Sequence, residues 1–414
     1  MHEAGARRRL FAAFIVVACC ALAQVARAHP VERVVIEGLN RTHEDTVTAL
    51  LPRAPPSDYD DAELDDLARR LANLAIFDST FVEREGTTLH VKVREKWTLI
   101  PDFALATGKT ASDLFIALGA TEYNFLGRAS ELSVSAYREQ RGLGFSLGLT
   151  EHEYRQRRWS YAGTASYGSA STRYEGGESW FTTGTQLGAW VNSVPVLRSC
   201  FRYQVSLLYM SERIEDVEGV VSPPSGHSLQ IQMWLIYDRY RWHDLVPSGV
   251  KVMFNAGPGL FVPAMQPRHF TELTILGALP LGRYGVLTAR LVAGVGARGN
   301  PNSSFLIGSI EGVRGLDDSL YRNWAQSMIN VEFRQALPIL DRVALQVVAF
   351  ADAAAFERMK PSGARGEGII ASSVGAGLRI VPTFLATFVA RFDMARLLAP
   401  DSLWFPQVGV AQYF

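Results

Sequence analysis

The spacing of apolar positions changes once along the chain. Over residues 31–97 it is mixed. "VERVVIEG" alternates as a strand does and stops at Gly38, and "RTHED" then places Thr42 and Asp45 at capping-box spacing, opening a helix that Pro52 ends. "RAPPS" reads as a loop. A second helix is predicted in "DYDDAELDDLARRLANLAIF", where Leu64, Leu67, Leu71 and Leu74 recur at three and four residues and form one apolar stripe behind an acidic start. "FVEREGTTLHVKVREKW" supplies two strands around Gly86, with Leu89, Val91 and Val93 on one face. The expected order is β-α-α-β-β, a small α+β unit.

After Trp97 the period becomes two. In "GLGFSLGLT", Leu143, Phe145, Leu147 and Leu149 alternate with glycine, serine and threonine, so one face is apolar and the other small and polar. Such stretches occur at 97–105, 113–122, 129–138, 142–151, 157–169, 177–193, 200–212, 226–241, 248–260, 269–280, 285–297, 325–337, 341–353, 369–381, 384–394 and 404–414. An even set of strands of ~10 residues is the pattern of a transmembrane antiparallel β-barrel. Within "TFLATFVARFD", Phe384, Phe388 and Phe392 oppose Arg391 and Asp393. An arginine at the lipid midplane costs ~2–4 kcal/mol, so these charges are expected to face the lumen.

The N-terminus supports export. Arg7, Arg8 and Arg9 precede an apolar run from Leu10 to Ala23, and Ala26-x-Ala28 offers a small-residue cleavage site before His29. This reads as a signal peptide over residues 1–28, leaving an α+β unit at 29–96 and a barrel at 97–414. Cys19 and Cys20 depart with the leader, and the remaining Cys200 has no partner for an intrachain disulfide.

Composition narrows the classes further. Forty-one basic residues balance forty-one acidic ones, which gives no field for nucleic acid. Hydrophobic content of 48% with 20% charged residues excludes a disordered chain. The eight histidines show no triad spacing, and the glycine-rich pieces lack a strand-loop-helix setting for phosphate. Neither an enzyme nor a cofactor is expected.

Several motifs carry a family resemblance. "V-x-x-V-x-I-x-G", "IFDSTFV" and "VKVREKW" in residues 29–96 resemble a polypeptide-transport-associated (POTRA) domain. "EGVRGL", holding Val313, Arg314 and Gly315, looks like the Val-Arg-Gly loop of the outer-membrane assembly and two-partner-secretion superfamily, which includes BamA and TamA. "EYNFLGR", "YDRYRWHDLVPSG" and "FADAA" resemble further steps of that superfamily, with Ala354 standing where it has glycine. The chain ends "QVGVAQYF", and Gln407, Gly409 and Phe414 resemble its C-terminal β-signal, although Gln412 departs from the usual aromatic.

The resemblance implies a sixth extracellular loop folded back into the barrel, with Arg314 paired to Asp352 and Phe350 beside it. A guanidinium brought into a barrel needs a carboxylate fork, and Phe350 and Asp352 share one strand face. The implied function is insertion or translocation of polypeptides across a Gram-negative outer membrane. The POTRA domain would sit in the periplasm and bind unfolded or extended clients by β-augmentation, with periplasmic or lipoprotein accessory factors as further partners. The alternative is a passive pore or structural anchor, which a single POTRA domain keeps open.

Overall fold

The structure is a computed structural model and describes residues 28–106, 115–139, 142–151, 159–173, 179–193, 201–215, 224–243, 245–262, 265–297, 305–309, 312–316, 321–360 and 362–410. Residues 1–27 of the expected leader, and Phe414 and Gln412 of the expected terminal signal, lie outside them.

An α+β unit comes first. Its elements are β1 (Ala28–Val31), β2 (Arg33–Glu37), α1 (Glu44–Thr48), β3 (Ser57–Asp60), α2 (Asp61–Asn73), β4 (Phe77–Glu85) and β5 (Thr88–Glu95). Helix α2 starts on a true capping box. The Asp60 carboxylate accepts from the Glu63 N–H at 2.8 Å, and the Glu63 carboxylate accepts from the Asp60 N–H at 3.0 Å. Leu67 and Leu71 of its stripe are fully buried with Leu89 and Val91 of β5, while Leu64 and Leu74 flank that core. The sheet runs β2-β5-β4, with β2 parallel and β4 antiparallel to β5, which leaves β2 and β4 as its edges.

Three local expectations fail here. The opening strand breaks at Glu32, because its first half pairs with β3, whose Asp58, Tyr59 and Asp60 are expected from the sequence to open the second helix. Helix α1 spans five residues, and its N-cap is His43. Thr42 and Asp45 form no capping box, since the Thr42 hydroxyl accepts from the Asn124 side chain at 2.9 Å and is committed to the barrel.

Sixteen antiparallel strands close the barrel. They are β6 (Leu99–Ala106), β7 (Phe115–Phe125), β8 (Ser130–Glu139), β9 (Gly142–Glu151), β10 (Trp159–Arg173), β11 (Ser179–Ser193), β12 (Phe201–Ile214) and β13 (Gly226–Asp238). Then follow β14 (Gly249–Gly257), β15 (Phe270–Leu281), β16 (Gly285–Gly296), β17 (Tyr321–Leu340), β18 (Val343–Met359), β19 (Arg365–Pro382), β20 (Ala390–Ala399) and β21 (Trp404–Val410). Past Pro258, β14 resumes as Gly259–Val262, which pairs with β13 and with the short Gln266–Pro267. Phe305–Ile307 pairs with the start of β17. The last strand lies beside the first, which closes the sheet into a barrel.

The sixteen stretches read from the sequence correspond to these strands in order, with two shifts of consequence. Trp97 is not in the first strand; it forms a parallel bridge with Leu385. The Trp97 N–H donates to the Phe384 carbonyl at 2.8 Å, and Ala386 N–H donates back at 2.9 Å. The fifteenth strand therefore starts at Ala390, so Phe384 and Phe388 precede it and only Phe392 lies on its outward face. Arg391 and Asp393 are buried on the inward face, as the alternation required.

The outer surface is apolar. Leu143, Phe145 and Leu147 are more than half exposed, while the alternating Gly144 and Gly148 are buried toward the lumen. Among the described residues no helix is long and apolar enough to cross a membrane. A closed sheet with an apolar outside and a polar inside reverses the arrangement of a soluble protein, and lipid is the solvent that makes it favourable.

Candidate functional site: a loop anchored inside the barrel wall

The connection between β16 and β17 turns back into the lumen. Its turn is shaped by short backbone bonds: Val313 N–H donates to Gly308 O and Leu316 N–H to Val313 O, each at 3.0 Å. Gly315 has φ +91°, a region that disfavours a side chain, and its N–H donates to the Ser309 hydroxyl at 3.0 Å. Val313 and Leu316 are buried against Val292, Met328, Phe356 and Leu397, so the turn is held by its own apolar flanks.

Arg314 points from this turn into the wall and is fully buried. Its Nε and Nη2 donate to the two oxygens of Asp352, both at 2.7 Å, in the fork geometry that a planar guanidinium allows. Its backbone N–H donates to the same carboxylate at 3.2 Å. Nη1 donates to Glu332. The guanidinium carbon sits 3.5 Å from the centre of the Phe350 ring, so the cation also meets an aromatic face.

The sheet register explains the convergence. Asn330, Asp352 and Ser373 are direct cross-strand neighbours on β17, β18 and β19, and Glu332, Phe350 and Gly375 form the next row. The Asn330 side chain donates to Gly312 O at 2.7 Å and to Asp352 at 2.9 Å, tying loop to wall. Ser373 donates to Asp352 at 3.3 Å. Charge balance continues sideways: Arg334 Nε donates to Glu332 at 2.6 Å, and Arg379 donates to Asp393 at 2.5 and 3.1 Å. Arg314, Arg334, Arg379 and Arg391 thus interleave with Glu332, Asp352 and Asp393, all buried. In so dry a place each charge is tolerable only because opposite charges and donors surround it.

Sequence reasoning singled out Val313, Arg314, Gly315, Phe350 and Asp352, and the structure brings all five together. It missed Glu332, Asn330, Ser373 and Arg379. The run Glu332-Phe333-Arg334 did carry a signal, since two charges flanking an outward aromatic must point inward. Nothing in the spacing said that Glu332 would reach Arg314. Of the terminal positions, Gln407 donates weakly to Ser309 O at 3.4 Å, and a Cβ on Gly409 would lie 3.1 Å from Arg391 Nη2. The last strand therefore touches the same loop and the same charge network.

Two other motifs lie where the α+β unit meets the barrel. In "EYNFLGR", Asn124 holds Thr42, and Gly127 O accepts from His43 N–H at 2.8 Å and from the Thr46 hydroxyl at 3.0 Å. In "YDRYRWHDLVPSG", the Asn73 side chain at the end of α2 donates to Tyr240 O at 3.0 Å and accepts from Trp242 N–H at 2.8 Å. Arg241 pairs with Asp65 of α2 at 2.6 Å. These contacts seat the unit across one mouth of the barrel. The opposite mouth is the end at which the β16–β17 loop enters.

The network has no exposed acid or base, and among the described residues no cluster of histidine, cysteine and carboxylates could hold a metal ion. Its chemistry is that of a fastener. No protein-family model and no curated protein sequence matches the chain. Solved structures do resemble it. BamA from Haemophilus ducreyi lacking POTRA domains 1–3 aligns over 94% of this chain and 85% of its own, with TM-score 0.52 and 14% identity. CdiB from Escherichia coli aligns over 94% and 92%, with TM-score 0.58 and 13% identity. CdiB from Acinetobacter baumannii aligns over 92% and 74%, with TM-score 0.61 and 14% identity. The chain therefore has the sixteen-stranded barrel fold seen in these proteins. Within that fold, it is similar to BamA and to both CdiB proteins along nearly its whole length.

Proposed function

We propose that this chain is an outer-membrane protein that inserts or translocates polypeptides, with residues 29–96 acting as a periplasmic POTRA domain. The observation that carries the reading is the loop itself. The Val313-Arg314-Gly315 turn is bound inside the wall and reaches β21, the strand that closes the barrel on β6. One element thus both occupies the lumen and touches the closing strand. The edges β2 and β4 of the α+β unit offer main-chain pairing to an extended client, and Phe81 on β4 is 56% exposed there. Gln407, Gly409 and Phe414 act as the assembly signal. No catalytic step belongs to this reading.

The experiment places a photoreactive amino acid at Phe81 in cells and identifies what it captures. Adducts with unfolded outer-membrane or exported polypeptides are expected. A passive pore is the second reading, favoured by the half-buried serine, threonine and glycine lining of β8 to β11. Steady conductance of the purified chain in planar bilayers, with no client adduct at Phe81, would select it.

A further inference from the structure

We propose that the outward face of β7 to β11 is a binding groove for a phosphate-bearing membrane lipid, which lays an acyl chain against the barrel and its headgroup against Arg138 and Arg213. The barrel wall here carries a depression of about 770 Å³. Its floor is made of small outward residues, Ala120, Ala136 and Ala165, and its rims of Leu118, Phe145, Leu147 and Leu187.

Register turns this list into rows. Leu118, Ala136, Phe145, Tyr167 and Thr185 are successive cross-strand neighbours, and so are Ala120, Val134, Leu147, Ala165 and Leu187. The next row toward the mouth away from the α+β unit is Ile116, Arg138 and Leu143, continuing through Ser169 and Thr183 to Arg213. Two exposed arginines therefore bracket the end of an apolar depression, and among the described residues neither is held by a carboxylate. At ~3.3 Å per residue, Arg138 lies roughly 13 Å along its strand from Val134 and its row, which puts a guanidinium at headgroup depth when that row lies near the midplane.

The inner face explains why the wall can be so thin. A Cβ at Gly144 would fall 2.1 Å from the Tyr137 ring, and one at Gly168 would fall 2.0 Å from its hydroxyl oxygen. That aromatic covers the two glycines of its own inward row, and the next row is Ser135, Ser146 and Ser166. Glycine under an aromatic lets a sheet bend without leaving a void. Apolar walls embedded in the bilayer select an acyl chain, and two exposed arginines at the end of those walls, which no carboxylate among the described residues meets, select a phosphate rather than a neutral headgroup.

The test uses the full chain reconstituted in vesicles doped with phosphatidylglycerol or phosphatidylcholine bearing a diazirine in the acyl chain. Adducts are mapped by mass spectrometry. With phosphatidylglycerol, adducts on β7 to β11 should exceed those on the outward residues of β15 to β17 by about fivefold, the size expected of one basic residue at an anionic headgroup. Phosphatidylcholine should show a smaller excess. Arg138→Gln with Arg213→Gln should bring the phosphatidylglycerol excess down to the phosphatidylcholine level, and Arg138→Lys should retain it. Ala136→Trp should remove groove adducts with both lipids. Heat-modifiable migration on gels confirms that each variant is folded. Adducts spread evenly around the barrel, an excess that ignores the arginines, or a groove shielded from both lipids by a second copy would each overturn the proposal.

Discussion

Arg314→Ala removes the cation from Asp352 and leaves its buried carboxylate with three neutral donors, the Asn330 and Ser373 side chains and the backbone N–H of residue 314, whereas Glu332 keeps Arg334 beside it. Breaking one member of a buried pair costs ~3–5 kcal/mol. Both Arg314→Ala and Asp352→Ala should therefore lower the temperature at which the barrel unfolds on gels, and the double variant should be no worse than the worse single. Additive losses would mean that the two side chains act separately. Gly315→Ala meets only ordinary contacts, the nearest atoms being at 3.6 Å, so its cost is the backbone's: about 1–2 kcal/mol for a side chain at positive φ. Glu95 gives a pH dependence outside the membrane. Burial alone would raise its pKa, but the N–H groups of Asn40, Arg41 and Thr42 donate to its carboxylate at 2.9–3.0 Å and hold the pKa below the ordinary value. Its folded pKa is below its unfolded one, so its contribution is full above the ordinary carboxylate range and is lost as pH falls through the lowered value. Protease resistance of residues 28–96 should drop on that acid side, and Glu95→Gln should flatten the profile.

Among elements, α2 and the turn between β13 and β14 form the joint that seats the α+β unit. Asn73 serves as donor and acceptor at once. Asn73→Ala strands two partly buried backbone groups, at about 1–3 kcal/mol each. Amide exchange over residues 239–248 should then accelerate while the barrel remains heat-modifiable. An unchanged exchange rate would show that Arg241 and Asp65 hold the joint by themselves. The Leu67 and Leu71 stripe of α2 was legible from spacing alone. The failure of Thr42 and Asp45 to cap α1 was not, because the barrel turn at Asn124 competes for the same hydroxyl and only the folded chain brings Asn124 near.

For the whole molecule, β21 closes the barrel on β6, and the proposed assembly signal of Gln407, Gly409 and Phe414 begins in that strand. Under that proposal, deleting Phe414 should reduce insertion in cells while refolding in detergent stays near normal. Equal impairment in both settings would make Phe414 an ordinary packing residue.

Alternation determined the barrel. Period two repeated sixteen times, with charges opposite aromatics, has one favourable solvent arrangement, and it specified which side of each strand meets lipid. It also put Arg391 and Asp393 inside, and the motif spacing singled out Arg314 and Asp352. What the tertiary structure decided was register and company. Glu332 faces Arg314 because β17 and β18 pair in one register among several that the alternation allows, and a shift by two residues would keep every face while separating those charges. The same holds for the strand that begins at Ala390 and not at Phe384. Both hydrophobic patterns are valid in sequence, and the pairing of Trp97 with Leu385, nearly three hundred residues apart, selects one.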